Sequence, residues 1–266
     1  MKRLVALAAV AGLAVVLAAV AGAKTAASPP VMTPGKLVIG FGDPAVNFAN
    51  GKIRGSNYLS PKGYEVDLSA AIAKGLGLTP QYVYTPWAKL FAPGHKSFDI
   101  SFQEATITAQ RKKTVDFTSS YFDANQGVLL SKKAAVPHSL ADLKKLQTCA
   151  QTDTTGLDYI QQKLHPDKAP LIYQSTAAAF VAVQIGRCDA LVLDTPIVAS
   201  EKKARPTRYG SVGGQIITHE QYGGVLGLPV TFLIDRSGKV AARFKGESIL
   251  AVMEREVRRL LDEKLQ

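Results

Sequence analysis

Residues 104–122 read EATITAQRKKTVDFTSSYF, and this stretch decides the fold. It follows FDISF at 98–102, a short aromatic and β-branched run that reads as a strand. It precedes GVLL at 127–130, an apolar run that reads as another. Between them stand Glu104, four threonines at 106, 108, 114 and 118, and the basic cluster that Arg111 opens. In open α/β sheets ligands gather beyond the carboxyl ends of strands. A polar segment just after a strand is therefore where a pocket is to be sought.

Outward from this stretch the chain alternates strand and helix. KLVIG at 36–40 reads as the first strand and YVY at 82–84 as the second. Between them, Val66, Leu68, Ala71, Ile72 and Leu76 fall on one helical face over 64–78, which closes at Gly75 and Gly77. A second, similar set begins with the strand QTCAQ at 147–151. It continues with a helix over 156–164, the strand LIY at 171–173, a helix over 176–185 and the strand ALVL at 190–193. Two short βαβ series predict two small α/β lobes rather than one large sheet. The boundaries expected are 36–125 for lobe one, 126–214 for lobe two and 215–226 for a return to lobe one.

Composition narrows the function classes. The 266 residues are 47% hydrophobic and 20% charged, enough for a packed core. Two cysteines exclude a disulfide-knit mini-domain and a Cys-cluster zinc site. His95, His138, His165 and His219 are far apart, so no metal site is expected. The formal charge of +11 is spread over short clusters, which reads as a solvated basic surface and not a nucleic-acid groove.

The first residues read as an export signal. Lys2 and Arg3 precede an apolar run over 4–21, and Ala21-Gly22-Ala23 fits a cleavage site. Residues 1–23 are thus expected to be a signal peptide and 24–35 a flexible start. An uncleaved anchor is the alternative, since the run approaches the ~20 residues that span a bilayer. No cysteine adjoins the run, so a lipoprotein is not expected. Export leads to a periplasmic or extracellular, oxidising compartment.

The strand ends, taken in order, carry a resemblance. They are GDPAVNF at 42–48, TPWAKL at 85–90, the 104–122 stretch, QTDTTGLDY at 151–159 and DTP at 194–196, with GYEVDL upstream at 63–68. Together they resemble the family 3 extracellular solute-binding proteins of ABC importers, the group that binds polar amino acids. The resemblance covers about 35–226. It implies a type II, two-lobe periplasmic-binding-protein-like fold joined by a two-strand hinge. It also implies a small-molecule amino-acid ligand, a membrane permease as partner, a monomer, no cofactor and no catalysis.

The residue roles it implies make physical sense. Arg111 offers a planar fork for the ligand carboxylate, aided by the backbone N–H groups and hydroxyls of Thr154 and Thr155. Asp194 takes the ammonium, with Thr106 and the backbone near Glu104 as further acceptors. Trp87 is the aromatic plate against the ligand side chain, and Asp43 and Gln151 tune side-chain choice. The aromatic usual near Asp43 falls on Val46 without a gap and on Phe48 with one. Taken singly these residues have bland readings: a surface arginine, a turn aspartate, a helix cap, a core tryptophan. The family has small residues where this chain has Glu104 and Asp153, which tilts expectation towards neutral or cationic amino acids. A dehydratase on the same scaffold, with Glu104 as its acid, is the rival reading.

The cysteines and the tail stand apart. Cys149 and Cys188 precede or begin strands of lobe two that lie side by side in this topology, so a disulfide between them is expected, with two buried free thiols as the alternative. Residues 227–246, GLPVTFLIDRSGKVAARFKG, resemble the second half of thioredoxin-like proteins, with Pro229 at the cis-proline position and a turn at 235–238. A helix carrying Ile249, Met253, Val257, Leu260 and Leu261 is expected next. The C-x-x-C is absent. A hairpin and helix grafted onto lobe one, or a fusion remnant, are the two readings of 227–266.

Overall fold

The structure is a computed structural model and describes residues 31–227, 230–234 and 240–245. The signal segment, Pro229, the 235–238 turn and the terminal helix expected from sequence lie outside the described residues.

Lobe one is built around β1 (Lys36–Phe41), which pairs in parallel with β4 (Thr79–Tyr84) on one side and β5 (Ile100–Ser101) on the other. Five of the six β1 residues are buried, as a parallel strand covered on both faces requires. Helix α1 (Tyr64–Gly75) supplies one cover, placing Val66 and Ala73 against Leu37, Ile39 and Phe41. It starts at Gly63, whose φ of 131° and closeness to the Phe48 carbonyl exclude a side chain. A hairpin of β2 (Asn50–Arg54) and β3 (Asn57–Lys62) edges the lobe, and α2 (Trp87–Leu90) follows β4.

Two long strands run between the lobes. β6 (Phe117–Leu130) and β10 (Val212–Leu226) pair antiparallel with several register breaks. Near its end β10 also pairs with β5, while β6 at Gln126–Leu130 pairs with β9 (Ala190–Asp194). The expected strand at 127–130 is therefore only the last part of β6. The first part is polar and aromatic (FTSSYFDANQ), so it carries no apolar run to betray it. The expected boundaries at 126 and 214 fall inside these two strands.

Lobe two holds β7 (Thr148–Gln151), flanked by parallel β8 (Leu171–Tyr173) and β9. The whole order is β2-β3-β4-β1-β5-β10-β6-β9-β7-β8. Four helices cover the lobe: α3 (Leu140–Lys145), α4 (Thr155–Tyr159), α5 (Thr176–Gln184) and α6 (Thr195–Ala204). The helix expected over 156–164 is α4 continued by a π turn at Ile160–Leu164, closed by His165 in the left-handed region. Cys149 and Cys188 form a disulfide with Cα atoms 5.9 Å apart, inside the apolar cluster of Leu129, Leu191 and Val183.

In the tail, β11 (Val230–Ile234) and β12 (Val240–Lys245) form a separate two-stranded antiparallel sheet. No helix among the described residues is long and apolar enough to cross a membrane.

Candidate functional site

A cleft of about 750 Å³, open solvent at its mouth included, lies between the lobes. Nine of the ten ligand-site residues expected from sequence line it: Asp43, Trp87, Glu104, Thr106, Arg111, Gln151, Thr154, Thr155 and Asp194. Phe48 does not, and this is a correction. The chain turns at Asn47 (φ 68°) and Ala45 bridges to Ala49, so Phe48 faces inward against Phe122 and Tyr222. Val46 is the residue that lines the cleft there.

Arg111 opens a 3₁₀ turn (Arg111–Lys113) in lobe one. Its guanidinium donates to the Thr106 carbonyl at 2.7 Å and to the Asp153 carbonyl in lobe two at 3.0 Å. The planar group lies 4.3 Å from the Phe91 ring centre and 5.2 Å from that of Trp87. Burial lowers its pKa, and the charges of Asp194 and Glu220 oppose that. A guanidinium starts so high that it remains a cation. Trp87 Nε1 donates to the same Asp153 carbonyl at 3.3 Å, and Asn47 Nδ2 donates to Ser200 Oγ at 3.0 Å. The lobes therefore touch across the cleft.

Asp194 ends β9 and leads into α6. Its Oδ1 accepts from Gln126 Nε2 and its Oδ2 from the Tyr222 hydroxyl, both at 2.5 Å. Burial, then the charge of Glu220, pushes its pKa up to about 7; the two donors and Arg111 hold it back. Glu220, on β10, accepts from Thr106 Oγ1 at 2.6 Å and Thr155 Oγ1 at 2.8 Å through Oε2, and from Gln126 Nε2 at 2.9 Å through Oε1.

Two more acids stand here, Glu104 in the cleft lining and Glu65 buried behind it. Glu104 has φ 47° and donates its backbone N–H to Glu65 Oε1 at 2.8 Å. The Tyr121 hydroxyl donates to the same oxygen. Burial raises Glu65 to about 7. Burial, then the charges of Glu65 and Asp194, raises Glu104 well above the usual carboxylate range. Glu65 Oε2 and Glu104 Oε1 are buried without a partner among the described residues.

The remaining residues hold one another. Thr154 caps α4 by accepting from Leu157 N, and donates to the Gln151 carbonyl at 2.7 Å. Gln151 Oε1 accepts from the Thr176 hydroxyl. The Tyr84 hydroxyl donates to Asp43 Oδ1 at 3.1 Å. Among the described residues no group of three or more His, Cys, Asp or Glu is set to hold a metal ion.

Sequence reasoning missed Glu220, Glu65, Gln126 and Tyr222. The first signal was available: an acid inside the HEQYG stretch of a strand, where a buried charge needs a reason.

Two α/β lobes, two connecting strands and a cleft with a guanidinium on one side and a carboxylate on the other define a type II periplasmic-binding fold built for a small polar solute. The chain belongs to the bacterial extracellular solute-binding proteins, family 3, whose sequence model matches residues 46–225. It is 30% identical over 213 residues to a probable histidine-binding protein of Neisseria gonorrhoeae, covering 78% of this chain and 77% of that one. It is 29% identical to ABC transporter arginine-binding protein 1 of Escherichia coli, covering 63% of this chain and 68% of that one. Among solved structures it matches the ancestral amino acid-binding protein AncCDT-1, a precursor of cyclohexadienyl dehydratase. That match has a TM-score of 0.61 and 27% identity, and covers 86% of this chain and 88% of that one.

Proposed function

We propose that this chain binds a polar L-amino acid outside the cytoplasm and hands it to the permease of an ABC importer, working as a monomer and performing no chemistry. The observation that carries the reading is that Arg111 and Asp194, from opposite lobes, line one cleft. A free amino acid carries a carboxylate and an ammonium on one carbon, and these two side chains complement them. Trp87 walls the side-chain region and Asp43 lies at its rim. Relatives named for histidine and arginine support the ligand class. Asp43 and Asp194 line the cleft with one guanidinium, which favours cationic over acidic amino acids.

A thermal-shift screen against the twenty amino acids tests this. A ligand at 100 times its Kd adds about 2.7 kcal/mol. That should raise the melting temperature by roughly 5–10 °C in a protein of this size. A flat response to all twenty would refute the reading.

A second reading rests on Glu104. A carboxyl held protonated beside a cleft is what a general acid needs, and a dehydratase on this scaffold would use it. Turnover of cyclic hydroxy acids separates the two: release of water from any of them would replace the binding reading with the enzymatic one.

A further inference from the structure

Glu220 stands outside the residue set given to the ligand, yet it determines what two of that set can do. Its carboxylate accepts from Thr106 Oγ1 of lobe one and Thr155 Oγ1 of lobe two. A carboxylate oxygen has no proton to give, so each threonine must spend its only hydroxyl proton there. What remains on each hydroxyl is lone pairs. Thr155 uses one towards Gln126 Nε2 at 3.2 Å. The two amide protons of Gln126 are thus shared among three acceptors, Thr155, Asp194 and Glu220. Thr106, Thr155 and Asp194 all line the cleft, and none of these side chains has a donor left for a ligand.

We propose that Glu220 fixes the polarity of this wall as acceptor-only, and so makes the ligand's α-ammonium the group the site cannot do without. The inference rests on the amino-acid reading above and deepens it. The sequence expectation had the Thr155 hydroxyl assisting the ligand carboxylate. With its proton spent on Glu220 it accepts from the ammonium, and the side-chain grip on the carboxylate falls to Arg111. Acids carrying a carboxylate but no ammonium are excluded, because the wall would face a C–H with desolvated acceptors.

Isothermal titration of wild type and Glu220→Gln tests it. The probes are L-arginine, L-histidine and L-glutamine, each against the analogue lacking only the α-ammonium: 5-guanidinopentanoate, imidazolepropionate and glutaramate. Wild type should prefer the amino acid by at least about 100-fold, the scale of rejection when buried polar groups go unpaired. In Glu220→Gln the amide N–H frees one threonine proton, and the preference should fall by about tenfold or more. A purely structural role would weaken both members of a pair alike; an unchanged ratio therefore overturns the proposal. Should that variant fail to fold, Thr155→Val removes one acceptor at constant shape. It should weaken the amino acid at least three times more than its analogue, and an equal loss overturns the proposal. Wild type that binds an amino acid and its analogue equally overturns this inference alone. Wild type that responds to none of the twenty amino acids in the thermal-shift screen overturns the amino-acid reading and this one with it.

Discussion

The Arg111 guanidinium, rooted in lobe one, donates to the backbone carbonyl of Asp153 in lobe two across 3.0 Å. The residue assigned to the ligand carboxylate thus also ties the lobes together. A guanidinium has five N–H donors and spends one here and one on Thr106, so three remain for a ligand.

Arg111→Ala should therefore weaken amino-acid binding by roughly 10- to 150-fold, the worth of a charged hydrogen bond. Arg111→Lys should recover only part, because the ammonium lacks the fork. Asp194→Asn should cost as much as Arg111→Ala. Titration calorimetry reads the affinities, and each variant should still melt cooperatively. Binding within about threefold of wild type, a change under ~1 kcal/mol, would remove that residue from the site.

Acidity should weaken binding. Asp194 titrates near 7 in the folded protein, so below that pH it is neutral and attracts an ammonium less. Affinity should rise between pH 5.5 and 8. Stability moves the other way. Asp194 and Glu65 have folded pKa values raised to about 7. Their stabilising contribution is complete below their unfolded values and is lost as pH rises through about 7. The ligand-free protein should accordingly gain more from its amino acid at pH 8 than at pH 5.5 in a melting experiment. Equal shifts at both would contradict the assignment of Asp194.

Reduction should destabilise lobe two. Cys149 and Cys188 stand 39 positions apart in the sequence. In the chain-entropy model such a cross-link is worth about 4 kcal/mol. Treatment with a reductant under conditions that open the bond should lower the melting temperature by roughly 8–15 °C. Thiol titration of the denatured, unreduced protein should find none; two would show that the bond does not form in the exported chain.

Among the described residues the ten-stranded sheet has its edges at β2 and β8, and β11 and β12 pair with each other in a separate sheet. A chain ending at Gly227 should therefore keep its cleft and bind its amino acid within about threefold, ~0.7 kcal/mol, of the full chain. Aggregation, or loss of binding, would show that residues beyond 227 cover the core of lobe one.

What the sequence made legible was what repeats locally. Strands β1 and β9 are apolar runs, and α1 and α5 follow the expected spans to within a few residues. Asp194 ends β9 and Arg111 lies on the segment that follows β5, the region where α/β topology puts ligand groups. The β2–β3 hairpin was hidden because it is a mostly exposed edge, with Tyr58 its one buried residue. Glu65 gave no sign of burial, since its partners, the Glu104 N–H and the Tyr121 hydroxyl, lie far along the chain. Glu220 was hidden by register. Breaks in the β6–β10 ladder fall on either side of it, and His219 before it takes φ 51°, so simple alternation does not foretell where its side chain points.

That broken ladder has a mechanical consequence. Any swing of one lobe against the other must flex the β6–β10 ribbon, and its slipped pairs are where a two-stranded ribbon is most compliant. Glu220 sits among those slips while clasping one threonine from each side. Opening the cleft must release at least one of the two. The joint and its gauge are thus one segment of chain, and the same carboxylate that loses a partner on opening is the first to register that the cleft has shut.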